Sequence, residues 1–90
     1  MSVLTLYSRE GCGLCEELAL ELGPWARSRG LALEVLDVDA DPDARRRYGH
    51  RVPVVLLDGE TLAEGRVRLD ALDGEWRAAG GGRAGGTRLV

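Results

Sequence analysis

The chain has 90 residues, 12 basic and 15 acidic, and a formal net charge of −3. A chain of this length forms one domain with a small core, because it buries only about 60–65% of its extended surface. Every basic side chain that is charged at neutral pH is an arginine, and these arginines are spread along the sequence, which argues against nucleic-acid binding. The N-terminus has no basic region and only a short apolar stretch, so we predict no signal peptide, no membrane span and a cytoplasmic location.

The first half of the chain predicts a strand, a helix and a second strand. Residues 3–7 form a short apolar run, and the following helix begins near Gly13. Its apolar residues recur at helical spacing, namely Leu14, Leu18, Leu22 and Trp25. Pro24 falls inside this pattern, and we predict that the helix kinks there and continues to Gly30, a good terminating residue. Residues 31–38 then form a second strand, apolar enough to be well buried.

The second half predicts a short helix and a hairpin. The helix covers residues 42–48, because Asp41 supplies an N-cap before a proline and Gly49 closes the last turn. Residues 53–57 and 60–63 form two strands joined by an Asp-Gly turn of two residues, so these strands are antiparallel.

A final helix and a tail complete the chain. The helix is marked by Leu69, Leu72 and Trp76. The predicted domain covers residues 1–79, and the Gly-rich residues 80–90 form a flexible tail because they can bury almost nothing. The element order is therefore βαβαββα, an α/β fold with a four-stranded mixed sheet flanked by three helices.

Cys12 and Cys15 are the only cysteines, and they lie between the first strand and the first helix. Backbone N–H groups and the helix dipole stabilise a thiolate at a helix start. The second sulfur, one helical turn later, can close a disulfide with the first. The sequence therefore favours redox-active cysteines over two inert buried thiols.

A metal site is the alternative use of these sulfurs. Structural zinc needs four ligands, and His50 is the only histidine, so one chain would have to recruit carboxylates. A dimer that bridges zinc or an iron–sulfur cluster through the same cysteines stays open as a second hypothesis.

The segment 7–15 resembles the active-site signature of glutaredoxins, in which a basic residue, here Arg9, stands three positions before the first cysteine. The triplet Arg51-Val52-Pro53 matches a second element of that family, a cis proline that opens the third strand beside the disulfide. The resemblance covers residues 2–79. It implies a thioredoxin fold and places the chain near the small glutaredoxin-like proteins of bacteria.

The resemblance also implies a function and roles for individual residues. The chain would be a monomeric thiol-disulfide oxidoreductase without a bound cofactor or metal, acting on protein disulfides or on glutathione mixed disulfides. Cys12 would attack the substrate and Cys15 would resolve the mixed disulfide. The backbone of Val52, turned by Pro53, would pair with an extended substrate. Two arginines would hold the thiolate or a glutathione carboxylate, namely Arg9 and Arg51.

The sequence departs from glutaredoxins where they bind the γ-glutamyl end of glutathione. The family's two glycines and paired aspartates would fall on residues 64–68, of which only Gly65 is retained. Arg66 and Arg68 present cations where the amino group of glutathione needs carboxylates. Asp70 is the nearby carboxylate that would compensate.

Overall fold

A computed structural model describes residues 2–80 of the chain and contains one four-stranded sheet. The strands are β1 Val3–Ser8, β2 Ala32–Asp37, β3 Val54–Leu57 and β4 Glu60–Glu64. Their order across the sheet is β2-β1-β3-β4. The pair β1/β2 is parallel, whereas β1/β3 and β3/β4 are antiparallel.

Three α-helices accompany the sheet: α1 Gly13–Ser28, α2 Pro42–Tyr48 and α3 Leu69–Ala78. A short 3-10 helix, Val38–Ala40, connects β2 to α2. The predicted βαβαββα order, mixed sheet and three helices are confirmed.

The core forms where α1 and α3 cover one face of the sheet. Leu4 and Leu6 of β1 are fully buried and belong to one cluster with residues of both helices and of β3: Leu18, Leu22, Trp25, Ala26, Val55 and Leu72. Tyr7 points to the opposite face because side chains alternate along a strand. There it stacks on Tyr48 of α2, with ring centroids 5.0 Å apart. The sheet therefore lies between α1 and α3 on one side and α2 on the other.

The first helix continues through its proline, as predicted. Pro24 has no N–H to donate to the carbonyl of Leu20, one turn earlier. Leu20 is 80% exposed, so water can reach that side of the helix. Buried residues on both sides of the proline, Leu22 and Trp25, hold the helix against the core until it ends at Ser28.

The prediction of a well-buried second strand was wrong. Within residues 2–80, β2 is an edge strand that pairs with β1 alone. Val35 is 49% exposed, and Leu33 and Leu36 are half-buried. Val38, which the sequence assigned to the same strand, is fully buried but lies in the 3-10 helix. An apolar run indicates a strand without indicating whether neighbours flank it on both sides.

The predicted hairpin turn is present, and it also fastens the start of the chain. Asp58 and Gly59 have φ values of +49° and +90°, as a type I′ turn requires. The Asp58 carboxylate accepts a hydrogen bond from the N–H of Val3, and the N–H of Asp58 donates to the carbonyl of Val3. Both hydrogen bonds are 2.9 Å long. The hydrogen bond from the Val3 N–H lowers the pKa of Asp58.

Two further sequence predictions concern a membrane span and the tail. In the part of the chain that the structure describes, none of the helices has the length and apolar character needed to cross a membrane. Apart from Gly80, the tail predicted over residues 80–90 lies outside the described residues.

Candidate active site

A tight turn joins β1 to α1 and positions the first cysteine. The N–H of Cys12 donates to the carbonyl of Arg9 at 3.1 Å, which closes a four-residue turn. Gly11, the third residue of this turn, has a φ of +82°. A residue with a Cβ rarely adopts that conformation, so glycine suits this position.

Cys12 and Cys15 form a disulfide at the first turn of α1, with their Cα atoms 5.2 Å apart. Cys12 is the N-cap residue, and its Sγ accepts a hydrogen bond from the N–H of Cys15 at 3.2 Å. Cys12 is half-buried, whereas Cys15 is fully buried. Of the two cysteines, Cys12 is therefore the more accessible residue to a reagent in solvent.

The Val52-Pro53 segment is held beside the end of β4. Its peptide bond is cis, and Pro53 is buried. The N–H of Gly65 donates to the carbonyl of Pro53 at 2.8 Å and to that of Arg51 at 3.2 Å. Gly65 has a φ of +73°, a conformation that favours glycine here. These bonds fix the segment that follows β4 against the proline.

A groove of about 480 Å³ lies between α1 and the segment that leads from β4 into α3. Leu14, which directly precedes Cys15 and is 41% exposed, lines this groove. Pro53 and Gly65 line it, together with the apolar side chains of Leu18 and Val67. An extended ligand in this groove would therefore run past the cis proline and end beside the disulfide loop.

Arg9 is turned away from this groove and links three parts of the chain by hydrogen bonds. Its Nε and Nη2 donate to the two carboxylate oxygens of Asp39 at 2.8 and 2.9 Å, and its Nη1 donates to the Gly49 carbonyl at 2.8 Å. The Arg9 hydrogen bond lowers the pKa of Asp39. Substrate binding by Arg9 stays a prediction, and Asp39 is a partner that the sequence did not reveal.

Arg51 also makes contacts on the side of α2. Its Nε and Nη2 donate to the Arg47 carbonyl at 3.2 and 2.6 Å, and its Nη1 pairs with Glu64 at 3.1 Å. The guanidinium carbon lies 5.6 Å from the centre of the Tyr48 ring. A substrate-binding role for Arg51 therefore remains a prediction, as do the roles of Val52, Pro53 and Gly65.

Two acidic residues that had no role predicted from the sequence also line the groove. Glu17 and Glu21 lie one turn apart on α1 and border the groove opposite Arg66 and Arg68. Their spacing of four residues, on the turns directly after Cys15, is the signal that could have identified them.

Among residues 2–80, no group of three or more histidine, cysteine, aspartate or glutamate side chains is placed to hold a metal ion.

Comparison with known proteins identifies the family. Residues 3–75 match the model of the Glutaredoxin-like domain (DUF836). The chain belongs to this family. The glutaredoxin-like character predicted from the two motifs is thereby confirmed. Uncharacterized proteins of Mycobacterium bovis and Mycobacterium tuberculosis are each 35% identical to the chain, covering 72% of it and 77% of the relative.

Solved structures share the fold. The protein Ne2328 from Nitrosomonas europaea is 31% identical, with a TM-score of 0.69 over 81% of this chain and 88% of that one. A mutant thioredoxin from Halobacterium salinarum is 30% identical, with a TM-score of 0.65 over 84% of this chain and 73% of that one. Mitochondrial thioredoxin 3 of Saccharomyces cerevisiae shares the fold at 18% identity. Its TM-score is 0.65 over 86% of this chain and 77% of that one. The thioredoxin-like fold is therefore confirmed.

Proposed function

We propose that the protein is a dithiol–disulfide oxidoreductase that reduces disulfides through Cys12 and Cys15. The observation that carries the proposal is the disulfide at the start of α1, in which Cys12 is the half-buried N-cap residue and Cys15 is fully buried. The family and the likeness to a thioredoxin support the same chemistry.

The reaction requires two exchange steps. In the reduced protein the Cys12 thiolate attacks one sulfur of the substrate disulfide, forms a mixed disulfide and releases the other sulfur as a thiolate, which takes up a proton. The Cys15 thiol then loses its proton and attacks the Cys12 Sγ, which releases the second substrate thiol. The substrate gains two electrons, and the protein is left with the Cys12–Cys15 disulfide. A thiol donor, glutathione or a dithiol reductase, returns the two electrons.

The N-cap geometry supports Cys12 as the attacking residue. A thiolate is the nucleophilic form of cysteine, and backbone N–H groups at a helix start stabilise that form. The N–H of Cys15 already points at the Cys12 Sγ, at 3.2 Å. The reacting sulfur therefore needs no rearrangement of the helix to gain a hydrogen-bond donor.

All steps of this cycle use residues of one chain, so we propose that the protein acts as a monomer. A reductive role also requires a compartment in which thiols are kept reduced, and we propose the cytoplasm. The substrates in this proposal are protein disulfides or glutathione mixed disulfides.

Single cysteine variants test the proposal. We expect Cys12→Ser to reduce disulfide exchange with a peptide disulfide to the uncatalysed rate, because the nucleophile is lost. Cys15→Ser should retain the first step and accumulate a mixed disulfide. Mass spectrometry of the trapped Cys15→Ser protein should then find one substrate adduct, on Cys12.

Cys12→Ser and Cys15→Ser change the same helix turn in the same way, so each variant is the matched control for the other in the same assay. Wild-type exchange activity in Cys12→Ser would refute the assignment. A brown purified protein with visible absorbance that is lost on oxidation would instead support the iron–sulfur alternative.

A further inference from the structure

The groove beside the disulfide has two walls of opposite charge. One wall is formed by Glu17 and Glu21, which lie four residues apart on the same side of α1. The other is formed by Arg66 and Arg68 in the segment between β4 and α3. We call these the glutamate wall and the arginine wall.

These charges do not neutralise one another across the groove. Within residues 2–80, no ion pair of 4.0 Å or less joins the glutamate wall to the arginine wall. Asp70 also lines the groove and pairs with Arg68 at 3.2 Å, but both side chains are more than 70% exposed, so water screens this pair. Glu17, Glu21 and Arg66 make no ion pair in the described part of the chain. Two like charges at a spacing of four residues are unfavourable on a helix, and a bound cation would relieve them.

We infer that the groove binds an extended polypeptide next to the substrate cysteine, with a basic and an acidic side chain at neighbouring positions. The inference rests on the proposed function and specifies its substrate class. Successive side chains of an extended chain point in opposite directions. A lysine or arginine would therefore face the glutamate wall while the adjacent aspartate or glutamate faces the arginine wall.

The floor of the groove fits the same occupant. Leu14, Leu18, Pro53 and Val67 are apolar and can contact the aliphatic stems of long charged side chains. The groove thus suits an extended peptide that carries opposite charges on neighbouring side chains.

Four peptide disulfides test this substrate class. Each is a symmetric disulfide of a peptide with a single cysteine, flanked on both sides by Lys-Glu, by lysines alone, by glutamates alone or by serines. We would measure the second-order rate constant for reduction by the reduced protein. The Lys-Glu peptide should react about tenfold faster than the serine peptide, and about 0.5 M salt should remove most of this difference.

Variants of the wall residues test which wall is responsible for the preference for lysine and which for the preference for glutamate. The double variant Glu17→Gln/Glu21→Gln should lose most of the advantage that lysine confers. Arg66→Gln should lose most of the advantage that glutamate confers. The matched controls are Glu34→Gln on β2 and Arg45→Gln on α2, which change exposed charges outside the groove and should keep the full preference.

The outcomes separate this inference from the proposed function. If all four peptides are reduced at equal rates, the charge preference is wrong while the oxidoreductase proposal stands. Faster reduction of glutathione disulfide than of every peptide would also overturn the inference. If neither the peptides nor glutathione disulfide is reduced, the oxidoreductase proposal itself fails.

Discussion

Cys12 combines two roles at one atom, since its sulfur is both the proposed nucleophile and the N-cap acceptor of α1. Helix N-caps are usually Ser, Thr, Asp or Asn, whose oxygens accept strong hydrogen bonds. A disulfide sulfur is a weak acceptor, whereas a charged acceptor bonds backbone N–H groups more strongly. Where reduction leaves Cys12 as a thiolate, the capping interaction with the N–H of Cys15 would therefore be stronger.

The role of Arg9 is tested by releasing it from its carboxylate partner. We expect Asp39→Asn to lower the melting temperature by a few degrees, because the loop before Cys12 loses its bidentate tie to the 3-10 helix. If Arg9 only positions the loop, the KM for an anionic disulfide such as glutathione disulfide should stay within about twofold of the wild-type value.

Arg9→Gln is the paired variant, because it removes the other partner of the same bond. It should lower the melting temperature similarly and also leave KM unchanged. A clear fall of KM in Asp39→Asn together with a rise in Arg9→Gln would show instead that the guanidinium binds substrate carboxylates.

The structural features predicted from short motifs are present, since Cys12 and Cys15 form a disulfide and the Val52-Pro53 bond is cis. Cys12, Cys15 and Pro53 could be recognised because their neighbours in sequence define their local structure. Asp39 could not, because it lies 30 residues from Arg9 and the contact depends on how the 3-10 helix approaches the loop.

At the level of elements, an aromatic and charged contact joins the end of α1 to α3. The rings of Trp25 and Trp76 meet edge to face, with centroids 5.9 Å apart. The guanidinium carbon of Arg29 lies 4.2 Å from the Trp25 ring centroid and 5.3 Å from that of Trp76. Arg29 also pairs with Asp73 of α3. The C-terminal end of α1 is thus fastened to α3 by stacking, charge and hydrogen bonds together.

Removing one ring of this contact should loosen α3. We expect Trp76→Ala to lower the free energy of unfolding by about 2 kcal/mol, less than for a fully buried tryptophan, because the ring is half-buried. Urea denaturation measures the change. Leu20→Ala is the control, since Leu20 is 80% exposed on α1 and should change the free energy by less than about 0.5 kcal/mol. Equal losses in both variants would contradict this account of the contact.

The elements themselves were largely predictable, and β2 shows the limit. Apolar periodicity placed α1, and the Asp58-Gly59 turn placed the hairpin, because both signals are local. The edge position of β2 depends on which strand pairs with β1, and that choice is made by the whole sheet. The residues of β2 alone therefore predicted a strand that is more buried than the one observed.

Acid should lower the stability of the folded protein against urea. The pKa values of Asp39, Asp58, Asp70 and Asp73 all lie below the ordinary 3.8 in the folded protein. A carboxyl group with a lowered pKa stabilises the fold above its unfolded pKa and loses that contribution as the pH falls through the folded value. We expect the urea midpoint to decline from about pH 5 downward and to keep falling as the pH passes below the folded pKa values.

Asp73→Asn should make this decline shallower. Hydrogen bonds from Arg77 and Arg29 lower the pKa of Asp73, and the variant removes that titrating group. Urea midpoints of wild type and variant, measured in parallel from pH 7 to pH 3, give the difference. A steeper decline in the variant would contradict the assigned direction.

The edge of β2, which is unpaired within residues 2–80, has a consequence for self-association. A strand edge offers unpaired backbone groups to any other extended chain, and charged side chains discourage such pairing. Glu34 and Asp37 are exposed on β2 beside the apolar Val35. Carboxylates there repel a second copy of the same edge at neutral pH. Neutralising both side chains, as in Glu34→Gln/Asp37→Asn, would remove this repulsion and favour aggregation through β2.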